Sequence, residues 1–362
     1  MNKFFIKSLT LSMALLFTSS IPVFADMNVS RISGYDRYET SVNANKKYMN
    51  KANGNLAVIA SGNDFKTALY GSHLSSALNV PYFVNPKHGV RTDILNELKR
   101  LKVNRVYIMG DYNILDKSVD NTFKSKGIQV ERLYSEELSY KVDNIIFNTF
   151  HYGENRGDIS MSILIDDNKF PDLLSSIPFT SIMARDDRMG LLRYPEDDFI
   201  EEDAYIDGFG FIIGGKKSVP AKFWTGGKAD YPDSPKPNYV QDSGLHLEMG
   251  EGYKYYYGRI YGQNRYETAV EIAKSYKAMF NKVASTIVLV NGENYPDALS
   301  SSLVATQNNG AVLLTQPNKL NEDTARYIKD NNIKNVIIVG GEKSVSRNVE
   351  NKLKSFTKGG TL

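Results

Sequence analysis

The sequence predicts an α/β fold with mostly parallel sheets, repeated in tandem along the chain. Two observations predict the repeat. "RISGYDRYET" begins at Arg31 and "RIYGQNRYET" at Arg259, with seven of ten residues identical. Downstream, "NLAVIASGNDFKTALYGSHLS" matches "STIVLVNGENYPDALSSSLVA", and "RVYIMGDYNILDKSVDNTFKSK" matches "NVIIVGGEKSVSRNVENKLKSF". Similarity at a fixed period marks one supersecondary unit used more than once. A third observation predicts the class: apolar runs alternate with helix-like stretches. Runs such as "TIVLV" and "VIIV" are nearly continuous, as in strands covered on both faces.

The elements follow in order. Tyr38 to Met49 is amphipathic. "LAVIAS" reads as a strand, "SGND" as a turn, and the next run as a helix. "PYFV" is a second strand, and "TDILNELKRLKV" a helix with Leu95, Leu98 and Leu101 at helical spacing. "RVYIM", a Gly turn and another helix follow, then the strand "IQVERL". The middle of the chain is a worn third copy: "FPDLLSS" matches "YPDALSS", and "GFIIGGKKSVP" matches "VIIVGGEKSVS". Its start is Arg132-Leu133, and Leu138 stands where Arg37 and Arg265 stand. Residues 221–258, rich in Gly, Pro and Tyr, read as an irregular insertion. Four segments result: 1–25, 26–131, 132–257 and 258–362, the last three being α/β repeats of ordinary domain size.

Residues 1–25 read as a secretory signal peptide: Lys3 and Lys7, an apolar stretch from Leu9 to Phe17, then Val23-Phe24-Ala25 before Asp26. The apolar stretch is short for a membrane span of roughly 20 residues, so no membrane attachment is expected after cleavage. The chain has 44 Lys and Arg against 41 Asp and Glu. Loss of Lys3 and Lys7 leaves it nearly neutral, which argues against general nucleic-acid binding. Cysteine is absent, so each core must hold without disulfides.

Within the decapeptide, Asp36 and Glu39, like Asn264 and Glu267, have the spacing of an N-cap and its reciprocal partner. Arg37 and Arg265 lie in the first helical turn, where the dipole favours anions. Each therefore calls for an acidic partner: a carboxylate such as Asp172 or Asp297, or an anionic ligand at the helix N-terminus. Repeat 1 has Arg37 but Thr67 at the Asp position, and repeat 2 has Asp172 but Leu138 at the Arg position. Pairing across a domain boundary, Arg37 with Asp172, would reconcile this. Arg31 and Arg259 are structural candidates beside them. The four histidines, His73, His88, His151 and His246, lack metal-site spacing, and no nucleotide fingerprint, G-x-S-x-G or Cys nucleophile occurs. The clusters "IDDNKFPD" and "RDDR" read as solvated loops. No cofactor is expected. Among the 23 tyrosines, "YKYYYG" from Tyr253 reads either as a sugar-stacking surface or as a strand edge.

"RI.G..RYET", "NGENYPDALSSS", "AVLLT" and "VIIVGGEKSVS" together resemble the clostridial cell wall-binding repeat, type 2, of S-layer and cell-wall proteins of Clostridioides-like Gram-positive bacteria. The resemblance implies three tandem Rossmann- or Toprim-like domains packed as a triangular pseudo-trimer. It implies non-covalent attachment to an anionic wall polysaccharide, location in the wall or S-layer, and S-layer proteins as further partners. The family's Ile-Leu-Leu-type binding triplet maps to Val312-Leu313-Leu314, with Tyr82-Phe83-Val84 and Gly190-Leu191-Leu192 as its counterparts. Repeat 1 ends on the strand "GIQVERL" and repeat 3 on none, so the N-terminal "MNVSRI" strand is expected to complete repeat 3 and close a ring. Rival expectations are a wall-modifying enzyme and an adhesive protein acting through residues 221–258.

Overall fold

The computed structural model describes residues 27–135, 138–151, 162–187, 189–193, 210–215, 217–219, 244–250 and 253–357. The expected signal peptide and residues 220–243 of the expected insertion lie outside them. No helix of the described residues is long and apolar enough to cross a membrane.

The chain opens with β1 (Asn28–Ile32), α1 (Arg37–Tyr48), β2 (Leu56–Ser61), α2 (Phe65–Leu78), β3 (Tyr82–Asn85), α3 (Thr92–Arg100), β4 (Arg105–Met109), α4 (Lys117–Ser125) and β5 (Gln129–Leu133). Next come α5 (Leu138–Phe150), β6 (Ser162–Ile165), α6 (Phe170–Asp186), β7 (Gly190–Arg193), β8 (Gly210–Ile213), β9 (Gly244–Gly250) and β10 (Tyr253–Ile260). The last third holds α7 (Arg265–Phe280), β11 (Thr286–Asn291), a 3-10 turn (Pro296–Ser300), α8 (Ser301–Gln307), β12 (Gly310–Thr315), α9 (Glu322–Asp330), β13 (Asn335–Val339) and α10 (Arg347–Lys354).

Three sheets result, ordered β3-β2-β4-β5, β7-β6-β8-β10-β9 and β12-β11-β13-β1. All pairings are parallel except β9 with β10. Strands β2, β11 and β12 are buried along their whole length, as the continuous apolar runs require.

Sequence repeat and spatial sheet are out of step by one strand. Each "Arg-Ile" or "Arg-Leu" strand pairs with the sheet of the preceding repeat: β5 with β4, β10 with β8, and β1 with β13. Val29 stands opposite Val336, so the first described strand completes the last sheet and the ring closes as the sequence suggested.

The centre of the ring is made by α2, α6 and α8, one helix from each repeat, in mutual contact. Phe65 and Phe170, which begin α2 and α6, and Tyr295, which precedes the 3-10 turn leading into α8, are three aligned positions that meet with ring centroids 6.2, 5.5 and 5.8 Å apart. Three equivalent residues meeting at one point define a pseudo-threefold axis. Each ring pair adds about 0.5–1.5 kcal/mol beyond the area it buries.

One expectation is corrected. Residues 221–258 are not irregular throughout: β9 and the start of β10 form an antiparallel pair that extends the middle sheet. In "YKYYYG" the β-propensity of tyrosine prevails over the loop signal of the surrounding Gly and Pro residues.

Candidate functional site

The decapeptide welds one domain to the next. Its first arginine sits on the closing strand. Arg31 Nη1 donates to the Gly340 carbonyl at 2.7 Å, and its Nη2 pairs with Glu350 at 2.9 Å. Arg132 binds the Gly110 and Asp111 carbonyls at 2.8 and 2.9 Å and pairs with Asp120. Arg259 donates to the Gly214 and Val219 carbonyls at 2.7 and 2.9 Å. Gly110, Gly214 and Gly340 all have φ near +100° (94°, 114° and 119°), a turn that a side chain would strain. A structural, interdomain role for Arg31 and Arg259 follows from these bonds.

The middle of the motif starts a helix. Asp36 caps α1 by accepting from Glu39 N at 2.8 Å, and Asn264 caps α7 by accepting from Tyr266 N and Glu267 N. The glutamates do not close the box as expected. Glu39 accepts from Tyr35 N and Glu267 from Gln263 N, each one residue before the cap and each at 2.7 Å. Gly34 permits this reach, because a Cβ there would lie 2.5 Å from Glu39 Cβ. Thr40 and Thr268 accept from the Gly34 and Gly262 amides.

Arg37 and Arg265, the second arginines, clamp the first Gly turn of their own domains. Arg37 Nη1 donates to the Gly62 carbonyl, and Arg265 Nη1 donates to Gly292 at 2.6 Å. Among the described residues neither makes a salt bridge. The expected pairing of Arg37 with Asp172 is corrected: the arginine that shares a cleft with Asp172 is Arg265.

The apolar triplet residues are sheet core. Tyr82, Phe83, Val84, Leu191, Leu313 and Leu314 are fully buried, and Val312 is 1% exposed. Their side chains present no surface to a polymer, because β3 and β12 are covered on both faces. The Leu192 side chain lies outside the described residues. Asp166 and Asp167 also depart from expectation. They are buried (8% and 2% exposed) and paired with Lys169 and Lys66 rather than solvated.

The middle and last domains enclose a cleft of about 750 Å³. Lys169, Asp172, Lys217, Ser218, Tyr261 and Arg265 are among its lining residues. It lies at the N-terminus of the 16-residue helix α7, whose dipole favours an anion. Lys217 and Arg265 are exposed, and Arg265 Cζ lies 6.0 Å from the Phe170 ring centroid. Lys169 Nζ bonds Asp166 at 2.8 Å and reaches Ser218 Oγ at 3.4 Å. Asp172 is the acidic wall of the cleft. Burial and the nearby Asp166 push its pKa up to about 6, against the pull of Lys169 and Arg265.

A carboxyl whose folded pKa lies above its unfolded value weakens the fold as pH rises through that window. Asp172→Asn is therefore expected to melt at a higher temperature than the parent chain at pH 7.5. The advantage should shrink at pH 4.5, where the parent carboxyl is protonated. Melting curves at both pH values check this, and an advantage that grows towards pH 4.5 would contradict it.

Comparison with known proteins places this geometry. In length the chain spans 64% of N-acetylmuramoyl-L-alanine amidase LytC of Bacillus subtilis, to which it is 24% identical over 369 aligned residues covering 99% of the chain. It is 42% identical to the amidase enhancer of the same organism over 98 residues, which are 27% of this chain and 13% of that protein. Among solved structures, Cwp8 from Clostridium difficile aligns with a TM-score of 0.67 at 16% identity, covering 93% of this chain and 53% of that one. Cwp6 from the same organism aligns with a TM-score of 0.63 at 16% identity, covering 87% and 46%. The cell wall binding domain 2 (CWB2) profile matches residues 31–120 and 259–350, just over half of the chain, and the chain belongs to that family.

Proposed function

We propose that the chain attaches non-covalently to a bacterial cell wall by binding an anionic wall polysaccharide in the cleft between its middle and last domains. The observation that carries this reading is the cleft itself: Arg265 and Lys217, both exposed, stand at the N-terminus of α7. A guanidinium and an ammonium at the positive end of a helix dipole together suit a phosphate or carboxylate on a polymer. The partly exposed Tyr261 offers a ring for a sugar face.

The role is binding rather than catalysis. Similarity to the amidase leaves more than a third of that protein unmatched and transfers no activity to this chain. Two relatives with different printed activities each match all or part of this chain, which suits a portable attachment module. We further propose secretion, with residues 1–25 removed, and residence in the wall or S-layer beside other S-layer proteins.

The test is co-sedimentation of the chain from Asp26 onward with purified Gram-positive walls, before and after acid extraction of their anionic polymers. Binding that disappears on extraction is the expected result. Binding that survives would redirect the proposal to peptidoglycan or to a wall protein.

A further inference from the structure

The two motif positions that differ among the repeats follow a rule once the chain is read by junction. Each junction brings the first helical residue of one domain towards the central helix of the domain before it. At the middle–last junction these are Arg265 and Asp172. At the last–first junction, α1, which starts at Arg37, packs on the 3-10 turn that carries Asp297. Tyr295 Oη reaches the Asn63 carbonyl there at 3.4 Å, and its ring centroid lies 5.5 Å from that of Phe65. At the first–middle junction the equivalent residues are Leu138 and Thr67. Read by repeat, the arginine and the aspartate are lost in different places. Read by junction, they are lost together, once.

The first–middle junction has a different chemistry in their place. Leu138 is buried. Lys66, aligned with Pro171 and Pro296, crosses the junction to Asp167 at 3.0 Å and to Asn168 at 2.7 Å. Deeper in, Tyr70 Oη donates to Asp167 at 3.1 Å, and His73 Nε2 lies 3.7 Å from Asp143. His73 aligns with Pro178 and Leu303, and Asp143 with Val42 and Val270. The polar pair has moved from the mouth into the interior, and Lys66 bridges the mouth.

We propose that the chain carries two anion-binding clefts rather than three, the second lying at the last–first junction around Arg37, Lys343 and Tyr35. This rests on the polysaccharide-binding reading above. Arg37, Lys343 and Ser344 occupy the positions of Arg265, Lys217 and Ser218. Tyr35, aligned with Gln263 and two residues before Arg37, is 98% exposed and leaves its ring open to solvent. A sugar bearing a phosphate or carboxylate matches that combination. Glu293 and Asn294 stand where the first cleft has Asn168 and Lys169, so the second cleft is less cationic and binds more weakly. Two unequal sites on one rigid ring give a polymer avidity without strong binding at either.

Calorimetric titration of the full chain with short oligomers of glycerol phosphate and of galacturonate tests the assignment. Lys217→Glu and Lys343→Glu serve as variants because both lysines are exposed and outside the core. The expected result is a stoichiometry of two with unequal affinities for at least one oligomer. Lys217→Glu removes the tighter site, Lys343→Glu the weaker, and each leaves the other. A parent stoichiometry of one or three, or a Lys343→Glu titration identical to the parent, overturns the second cleft. No binding of either oligomer, with wall co-sedimentation intact, overturns both clefts and leaves wall attachment standing. Loss of polymer-dependent co-sedimentation removes the underlying reading as well.

Discussion

Leu314→Ala is expected to cost about 2–5 kcal/mol of folding stability, the range for emptying a buried leucine site. Leu314 is fully buried on β12 and pairs in register with Val290 of β11. Its Cβ lies 3.1 Å from the position a Cβ would take at Gly292, so the side chain packs under the turn whose carbonyl Arg265 holds. A cavity there would loosen both the sheet and the arginine. Chemical denaturation measures the cost. Wall binding measured well below the melting temperature should change little per folded molecule. If instead binding disappeared while stability moved by less than about 1 kcal/mol, the triplet would have a direct binding role that its burial gives no sign of.

Periodicity and capping chemistry made the elements readable. Continuous apolar runs fall on β2, β11, β12 and β13, and the Asp36 and Asn264 caps begin α1 and α7 where expected. The arginines were harder. Arg31 and Arg259 look alike to Arg37 and Arg265 in the sequence, yet the first pair closes sheets and the second clamps turns. That division depends on which sheet receives each closing strand, a nonlocal fact that no window of sequence contains. Asp172 was assigned to Arg37 rather than Arg265 for the same reason. The signal for the right partner was present in the joint replacement of the aspartate by Thr67 and of the arginine by Leu138, but it becomes visible only when repeats are compared around the ring.

Burial of the triplet was the other misreading. A strand in a parallel sheet is apolar along its whole length whether or not one residue serves a ligand, so apolar pattern alone does not separate core from contact. Asp166 and Asp167 erred in the opposite direction. A doubled aspartate reads as solvated surface until Lys66, from another repeat, is brought to it.

Arg31→Ala is expected to have the second large effect, because Arg31 fastens the first described strand to the last sheet. Its Nη1 holds the Gly340 carbonyl at 2.7 Å, and its Nε and Nη2 reach Glu350 Oε2 at 3.2 and 2.9 Å. Removing the guanidinium leaves a buried carboxylate, 8% exposed, with Lys354 at 2.6 Å as its remaining salt-bridge partner among the described residues. Breaking one side of a buried pair costs about 3–5 kcal/mol, and less where, as here, a second cation stays in place. The damage should be local as well as global. Strand β1 joins its sheet through β13 alone, so its loss turns β13 into an open edge. Amide exchange should accelerate across β1 and β13 while β2 and β4, in another sheet, keep parental protection at temperatures well below melting. Arg259→Ala is the matched control, because β10 is held in the interior of its sheet by β8 and β9 and cannot peel away. If β13 keeps its protection in Arg31→Ala, the parallel pairing from Asn28 to Ile32 closes the ring without the arginine. The strand pairing itself, rather than the ion pair, would then be what joins β1 to the last sheet.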